Sequence, residues 1–213
     1  MKKGVRAIIF DVGGVLAIGR YSLFKKRGHR MLGVHEFITK KLKISLDQWF
    51  DSIDTSYANS IEGGHSKKQV LKIFSKNLKS SPEKIEKLFI KAYKKNFKQN
   101  KQLFKQAFKL QKKGYKIAIL SDQWPVSKEA LMPEKIYKKF NEVVVSCEAG
   151  MRKPNLKIYK MVLKKLKIKP FQAIFIDNQK WNLQPAKKIR MKTILFKNNK
   201  QLFKQATWKN LFK

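Results

Sequence analysis

The chain has 213 residues, 50 Lys+Arg against 14 Asp+Glu, a formal net charge of +36 and an apolar fraction of 43%. That length suits one domain, or one core domain with a modest insertion, and the composition excludes a collagen, a disulfide scaffold and a wholly disordered chain. The single cysteine, Cys147, permits no intrachain disulfide, and no apolar run approaches the ~20 residues that span a bilayer.

The first apolar run, Val5–Phe10, predicts a buried strand ending at Asp11. The run meets Asp11 too soon to form a signal-peptide core, so the chain reads as soluble and cytoplasmic, with no membrane partner. Residues 18–98 follow with helical patterns and no convincing strand. Ser45 with Gln48 predicts a capping box ahead of Leu46, Trp49, Phe50, Ile53 and Tyr57. Ser66 with Gln69 repeats the device ahead of Val70, Leu71, Phe74 and Leu78. Ser81–Pro82 is a cap and first-turn pair leading into Ile85, Leu88, Phe89, Ala92 and Tyr93.

Beyond residue 98, short apolar runs alternate with helical ones. Leu103, Phe104, Ala107, Phe108 and Leu110 mark a helix, and Tyr115–Leu120 the strand after Gly114. Val143–Cys147 reads as a strand, Ile158, Tyr159, Val162, Leu163 and Leu166 as a helix, and Ala173–Ile176 and Thr193–Phe196 as two more strands. Strand–helix alternation is the signature of a parallel sheet covered on both faces. The expected architecture is α/β: a Rossmann-like doubly wound parallel sheet from residues 1–17 and 99–213, with residues 18–98 as an inserted helical cap. The sequence KQLFKQA occurs at Lys101–Ala107 and again at Lys200–Ala206. Two copies make no solenoid, and two amphipathic surface helices account for them; the C-terminal piece, with Leu202, Phe203, Leu211 and Phe212, is expected to pack against the core ahead of lying on an anionic membrane.

Of the basic residues, 44 are Lys and 6 are Arg, spread over nearly the whole chain. Nucleic-acid readers favour the Arg fork, so a general Lys bias accounts for this charge ahead of a dedicated nucleic-acid site. Non-specific, salt-dependent attraction of polyanions still follows, as does a preference for phosphorylated over cationic substrates.

Asp11 ends its strand and precedes Gly13 and Gly14, whose backbone N–H groups are expected to meet a phosphate. Taken alone, a helix-capping Asp reads as well. Ser121, with Asp122 behind it, follows the IAIL strand; Lys153 lies in GMRKP shortly after VVVSC; Asp177 follows AIFI. Ligands of open parallel sheets bind beyond the carboxyl ends of the strands, and four such ends here carry a carboxylate, a hydroxyl, an ammonium and a second carboxylate.

FDVGGVL, LSD, GMRKP and FIDNQKWN resemble, in order, the four motifs of the haloacid dehalogenase-like (HAD) superfamily of hydrolases, in its phosphatase branch with a small helical cap. The resemblance implies that Asp11 is a nucleophile forming an aspartyl-phosphate, that Ser121 hydrogen-bonds the phosphoryl oxygens and that Lys153 neutralises charge. It also implies Mg²⁺ held by Asp11, the Gly13 carbonyl, Asp177 and Asn178, and phosphate contacts from Gly13, Gly14, Ser121, Asp122 and Lys153. The expected reaction is hydrolysis of a small phosphorylated metabolite. Two positions depart from the usual pattern. Gly13 stands where a general acid–base Asp is common, and Asn178 stands where an acidic Mg²⁺ ligand is common. An amide oxygen is a weaker ligand for a hard cation than a carboxylate. Those departures keep open a catalytically degenerate HAD-fold protein that binds nucleic acid or another polyanion. The NQKWN stretch, with Trp181, is also similar to the 2-haloacid dehalogenases, while packing at a helix start explains the same Trp. His29, His35 and His65 have no metal-ligand spacing, and Cys147 reads as a small core residue within a strand.

Overall fold

The structure is a computed structural model and describes residues 4–19 and 32–213, so His29 lies outside the described residues. In chain order the elements begin with β1 (Ala7–Phe10), β2 (Ala17–Gly19), α1 (Leu32–Leu42), α2 (Leu46–Ile61), α3 (Lys67–Leu78), α4 (Pro82–Asn96) and β3 (Phe97–Gln99). Next come α5 (Lys101–Lys112), β4 (Lys116–Ser121), α6 (Pro125–Leu131), α7 (Glu134–Tyr137), β5 (Glu142–Val145), α8 (Ser146–Ala149) and α9 (Leu156–Leu166). The chain closes with β6 (Ala173–Asp177), α10 (Lys180–Lys188), β7 (Lys192–Leu195), α11 (Asn199–Lys204) and α12 (Ala206–Lys209).

Five strands form one sheet in the order β5-β4-β1-β6-β7. Every pairing is parallel, with Phe10 level with Ile119 on one side and Ile176 on the other. β1 is therefore central, and its carboxyl end lies between those of β4 and β6. Side chains alternate across the sheet with the period of two that strands impose. Ile8 and Phe10 join Ile117, Ile119, Ile174 and Ile176 on one face, beneath Leu103 and Ala107 of α5. Ala7 and Ile9 join Ala118, Leu120 and Phe175 on the other, beneath Ile158, Val162 and Leu166 of α9. A sheet covered on both faces needs near-continuous apolar strands, and AIIF, IAIL and AIFI meet that need.

The inserted segment departs from expectation at its rims. β2 and β3 pair antiparallel, Ala17 with Gln99 and Gly19 with Phe97, so residues 18–98 begin and end in strand. Three-residue strands carry too little alternation to be read as a pattern. Between them, both capping boxes form as expected: the Ser45 and Ser66 hydroxyls accept from the Gln48 and Gln69 backbone N–H groups, and each Gln side chain returns to its cap. Ser81 caps α4 with Pro82 in its first turn. The helices close on an aromatic knot of Trp49, Phe74 and Phe89, joined by Trp124 from the loop after β4, at 5.7 Å from Phe74 and 5.2 Å from Phe89.

The strand expected at Val143–Cys147 also differs, being β5. It stops at Val145 because the Ser146 hydroxyl turns to Gln123, donating to its carbonyl at 3.1 Å and accepting from its N–H at 2.9 Å. Cys147 consequently sits on α8, half-buried, and not within a strand. The two KQLFKQA copies are coupled through the residues that precede them. Asn100 and Asn199 exchange amide hydrogen bonds of 2.9 and 2.7 Å, and Asn100 also donates to the Val15 carbonyl at 3.0 Å. This amide pair, with Asn100 buried, ties α5 and α11 to the turn that follows β1. The C-terminal helices pack Leu202, Trp208 and Leu211 into the core, and no described helix is long and apolar enough to cross a membrane.

Candidate active site

Asp11, Ser121 and Asp177 stand side by side because β1, β4 and β6 are neighbours with matched ends. Lys153 reaches them from the loop between α8 and α9. Its Nζ donates to Asp11 Oδ1 at 3.0 Å and to Asp177 Oδ2 at 2.8 Å, and the Ser121 hydroxyl donates to the same Asp11 Oδ1 at 2.9 Å. All four side chains are buried. The sequence-predicted carboxylates, hydroxyl and ammonium thus form one hydrogen-bonded cluster.

Asp177 is more fully engaged than expected of a metal ligand. Oδ1 accepts from the Gln179 N–H at 2.7 Å, and Oδ2 accepts from both Lys153 and Asn182 Nδ2. Tyr159 holds the Asn182 carbonyl at 2.7 Å, so Asp177 is braced from two helices. It acts in this structure as the anchor of Lys153. Asn178, by contrast, has a buried Oδ1 with no protein donor among the described residues. A buried acceptor without a donor suits a cation. Among the described residues no three His, Cys, Asp or Glu side chains gather as a cage. Mg²⁺ does not require one, because it is commonly held by one or two carboxylates with water and substrate phosphate. Asn178, with Asp11 and the Gly13 carbonyl, would therefore suit a Mg²⁺ ion.

The turn after β1 sorts the two glycines. Gly14 has φ of 85°, a conformation that favours glycine, and its N–H donates to the Ala17 carbonyl at 2.7 Å. That N–H is spent within the turn, contrary to the expected phosphate contact. Gly13 lines the cavity, lacks a left-handed φ, and a Cβ added there meets nothing within 4 Å.

Burial pushes the Asp122 carboxyl up to about 6, against the Lys153 charge and the Lys153 N–H, which donates to Oδ1 at 3.0 Å; Asp11 and Asp177 add to the upward push. For Lys153, burial alone pulls the ammonium down, but Asp11, Asp177 and Asp122 outweigh it and hold the group above the ordinary lysine range. Asp122 has a folded value above its unfolded one, so its contribution to stability is full at low pH and is lost as pH rises through about 6. Asp122→Asn keeps an acceptor for the Lys153 N–H and removes that loss. The variant is expected to melt higher than the parent by roughly 5 °C at neutral pH, with the gap closing toward acid, as read by thermal melts across the pH range.

Above the cluster lies a cavity of about 490 Å³ between the sheet edge and the inserted helices, reached by Asp11, Asp122 and Lys153. A larger groove of about 730 Å³ beside the β2–β3 ribbon, flanked by Lys94, Lys98 and Lys101, contains none of the cluster. The sequence reading missed what the 490 Å³ cavity does with Phe50 and Tyr57. Both belong to the periodic set Leu46, Trp49, Phe50, Ile53 and Tyr57 that marks α2, and both are exposed and line the cavity. Asp54, interrupting that apolar stripe, was the available signal. Trp181 likewise lines the cavity and does not pack inside the protein. His35 also lines the cavity, its Nδ1 accepting from Trp49 Nε1 at 2.7 Å.

A family profile described as haloacid dehalogenase-like hydrolase matches residues 34–196. The chain belongs to the haloacid dehalogenase-like hydrolases. The matched span begins beyond Asp11, so that residue's place in the site rests on the geometry above. Bifunctional epoxide hydrolase 2 of Mus musculus is 28% identical over 219 residues, covering 91% of this chain and 37% of that protein. Glyceraldehyde 3-phosphate phosphatase of Pyrococcus furiosus is 33% identical over 94 residues, covering 43% of this chain and 39% of that protein. The chain thus spans well under half the length of these curated relatives. A HAD family enzyme of Bacteroides thetaiotaomicron superposes with a TM-score of 0.75 at 18% identity, over 99% of this chain and 100% of that one, and a second structure of it holds magnesium and inorganic phosphate.

Proposed function

We propose that this HAD-like hydrolase is a Mg²⁺-dependent phosphomonoesterase that transfers the phosphoryl group of a small substrate to Asp11 and then to water. The observation that carries the reading is the convergence of the Ser121 hydroxyl and the Lys153 ammonium on one oxygen of Asp11, a residue that lines the cavity. Those donors orient the carboxylate and offer positive charge and a hydrogen bond to the transferring group, where negative charge must be stabilised. Asp11 attacks phosphorus, the P–O bond to the alcohol breaks with the departing oxygen taking a proton from water, and an aspartyl-phosphate remains; water then attacks that phosphorus, gives its proton to solvent, and releases Asp11 as the carboxylate with inorganic phosphate. Asp177 and Asn182 keep Lys153 aimed throughout. Asp11, the Gly13 carbonyl and Asn178 would hold a Mg²⁺ ion, which would supply charge neutralisation for the two anions that must approach each other. A relative named as a phosphatase and a structural neighbour holding magnesium and phosphate both support the reading.

The test is phosphate release from p-nitrophenyl phosphate with and without Mg²⁺. Chloride release from 2-chloropropanoate without any phosphate release would replace this reading with dehalogenation. Because Gly13 offers no carboxylate to activate water, breakdown of the phosphoenzyme is expected to limit turnover. Rapid mixing should show a burst of p-nitrophenolate followed by a slow phase. The open space at Gly13 admits a side chain, so Gly13→Asp should raise the slow rate by at least about tenfold, a floor below the ~10²–10⁴-fold that an ideally positioned base supplies. A linear time course without trapped phosphoenzyme would show that the second step is not limiting.

A further inference from the structure

Five large apolar side chains are exposed among the described residues, and three of them border the one cavity above Asp11: Phe50 at 42%, Tyr57 at 38% and Trp181 at 59%. Exposed apolar surface costs free energy unless something covers it, and its concentration at one cavity marks a binding surface. The three come from two parts of the chain. Phe50, Ile53, Tyr57 and Ile61 recur along α2 at spacings that place them on one helical face, while Trp181 stands on α10, next to the carboxylate cluster. Trp124 adds a further ring, edge-on to Tyr57 with centroids 5.0 Å apart.

Most polar groups of the same cavity are engaged within the protein, Gln123 Oε1 being a buried acceptor left without a donor among the described residues. Arg152 pairs with Glu62 at 3.2 Å, the Ser127 hydroxyl donates to the Trp124 carbonyl at 3.0 Å, and Asn182 donates to Asp177 at 3.0 Å. A polyhydroxylated alcohol placed here would give up hydration for few new hydrogen bonds, and each lost bond weighs against it. Asp54 on the α2 wall opposes a second anionic group on the alcohol.

Resting on the phosphomonoesterase reading, we propose that the substrate's alcohol half is a compact, uncharged, apolar group of about one aromatic ring, held between the α2 face and Trp181, and not a sugar or polyol. The phosphoryl end then lies over Asp11, Ser121 and Lys153, and the apolar end is covered by the inserted helices. A cavity of about 490 Å³ has room for such a group.

The experiment pairs 2-phenylethyl phosphate with glycerol 3-phosphate. Both are primary alkyl esters, so ring burial and not leaving-group reactivity dominates the comparison. Burying roughly 100 Å² of ring surface is worth about 50-fold in an equilibrium constant, and an open mouth leaves at least about tenfold in kcat/KM for the phenyl ester. Trp181→Ala, an exposed substitution that leaves the core untouched, should erase most of that ratio through KM. Binding is measured separately, by calorimetry with 3-phenylpropylphosphonate against 3-hydroxypropylphosphonate. At least about tenfold tighter binding of the phenyl ligand, with no phosphate ester hydrolysed, would uphold the ligand class and refute the phosphatase reading. Glycerol 3-phosphate turned over as well as the phenyl ester would refute the ligand class and leave the phosphatase reading standing. Equal affinity for the two phosphonates would also overturn the proposal.

Discussion

Asp11→Asn is expected to lower phosphate release by at least about 10³-fold while leaving the melting profile close to that of the parent. The amide is nearly isosteric with the carboxylate, and its oxygen still accepts from Ser121 and Lys153, which now hold Asp11 Oδ1 at 2.9 and 3.0 Å. What it loses is nucleophilicity, because an amide oxygen does not displace an alcohol from phosphorus at a useful rate. Steady-state assay of the folded variant, with mass spectrometry for a phosphoenzyme, reads the effect. Turnover retained within tenfold would remove Asp11 from the mechanism.

Lys153→Met should lose activity to a similar extent and, unlike Asp11→Asn, should also lose stability. The ammonium is buried between Asp11 and Asp177, and methionine fills the space without the charge. Two buried carboxylates are then left facing each other, which costs about 3–5 kcal/mol when one partner of a buried pair is removed. The pH dependence follows from the direction of each shift. In the parent, Lys153 is held above the ordinary lysine range, so its contribution is complete across neutral pH and is lost only as pH rises through its folded value, in strong alkali. In the variant, mutual repulsion and burial raise the carboxylates, and a raised carboxyl stabilises at low pH and ceases to as pH rises. The stability gap between the two proteins should therefore widen from about pH 5 to pH 8 in urea unfolding. The double substitution Lys153→Met with Asp177→Asn should recover most of the stability and none of the activity. A gap independent of pH would show that packing, not charge, is what Lys153 contributes.

The sequence carried the strands and the chemistry at their ends because both are local. AIIF, IAIL and AIFI are apolar throughout, as a sheet buried on two faces demands, and Asp11, Ser121 and Asp177 each follow such a run within a residue. The helix starts were legible for the same reason, since Ser45, Ser66 and Ser81 cap through partners three residues away. The short β2–β3 ribbon was not legible, because strands of that length depend on each other across the whole insertion and carry no pattern of their own.

The order of the strands was decided only in three dimensions. Nothing in β1 says that β4 and β6 will flank it, yet that order alone brings Asp11, Ser121 and Asp177 to one edge and lets one ammonium serve two carboxylates. The same holds for the residues whose roles changed. Asp177 and Asn178 are adjacent in sequence, and only the surrounding donors separate them into a fully engaged anchor and an orphaned acceptor. Phe50 and Tyr57 belong by periodicity to an apolar helix face, and periodicity describes which residues share a face, not what that face meets. Here it meets a cavity, because Phe74 of α3 and Phe89 of α4 take up another side of α2 through Trp49. Composition and spacing thus determined the elements and the reactive groups they carry, while long-range packing decided which groups hydrogen-bond one another, which line the cavity, and which apolar surface is left uncovered beside it.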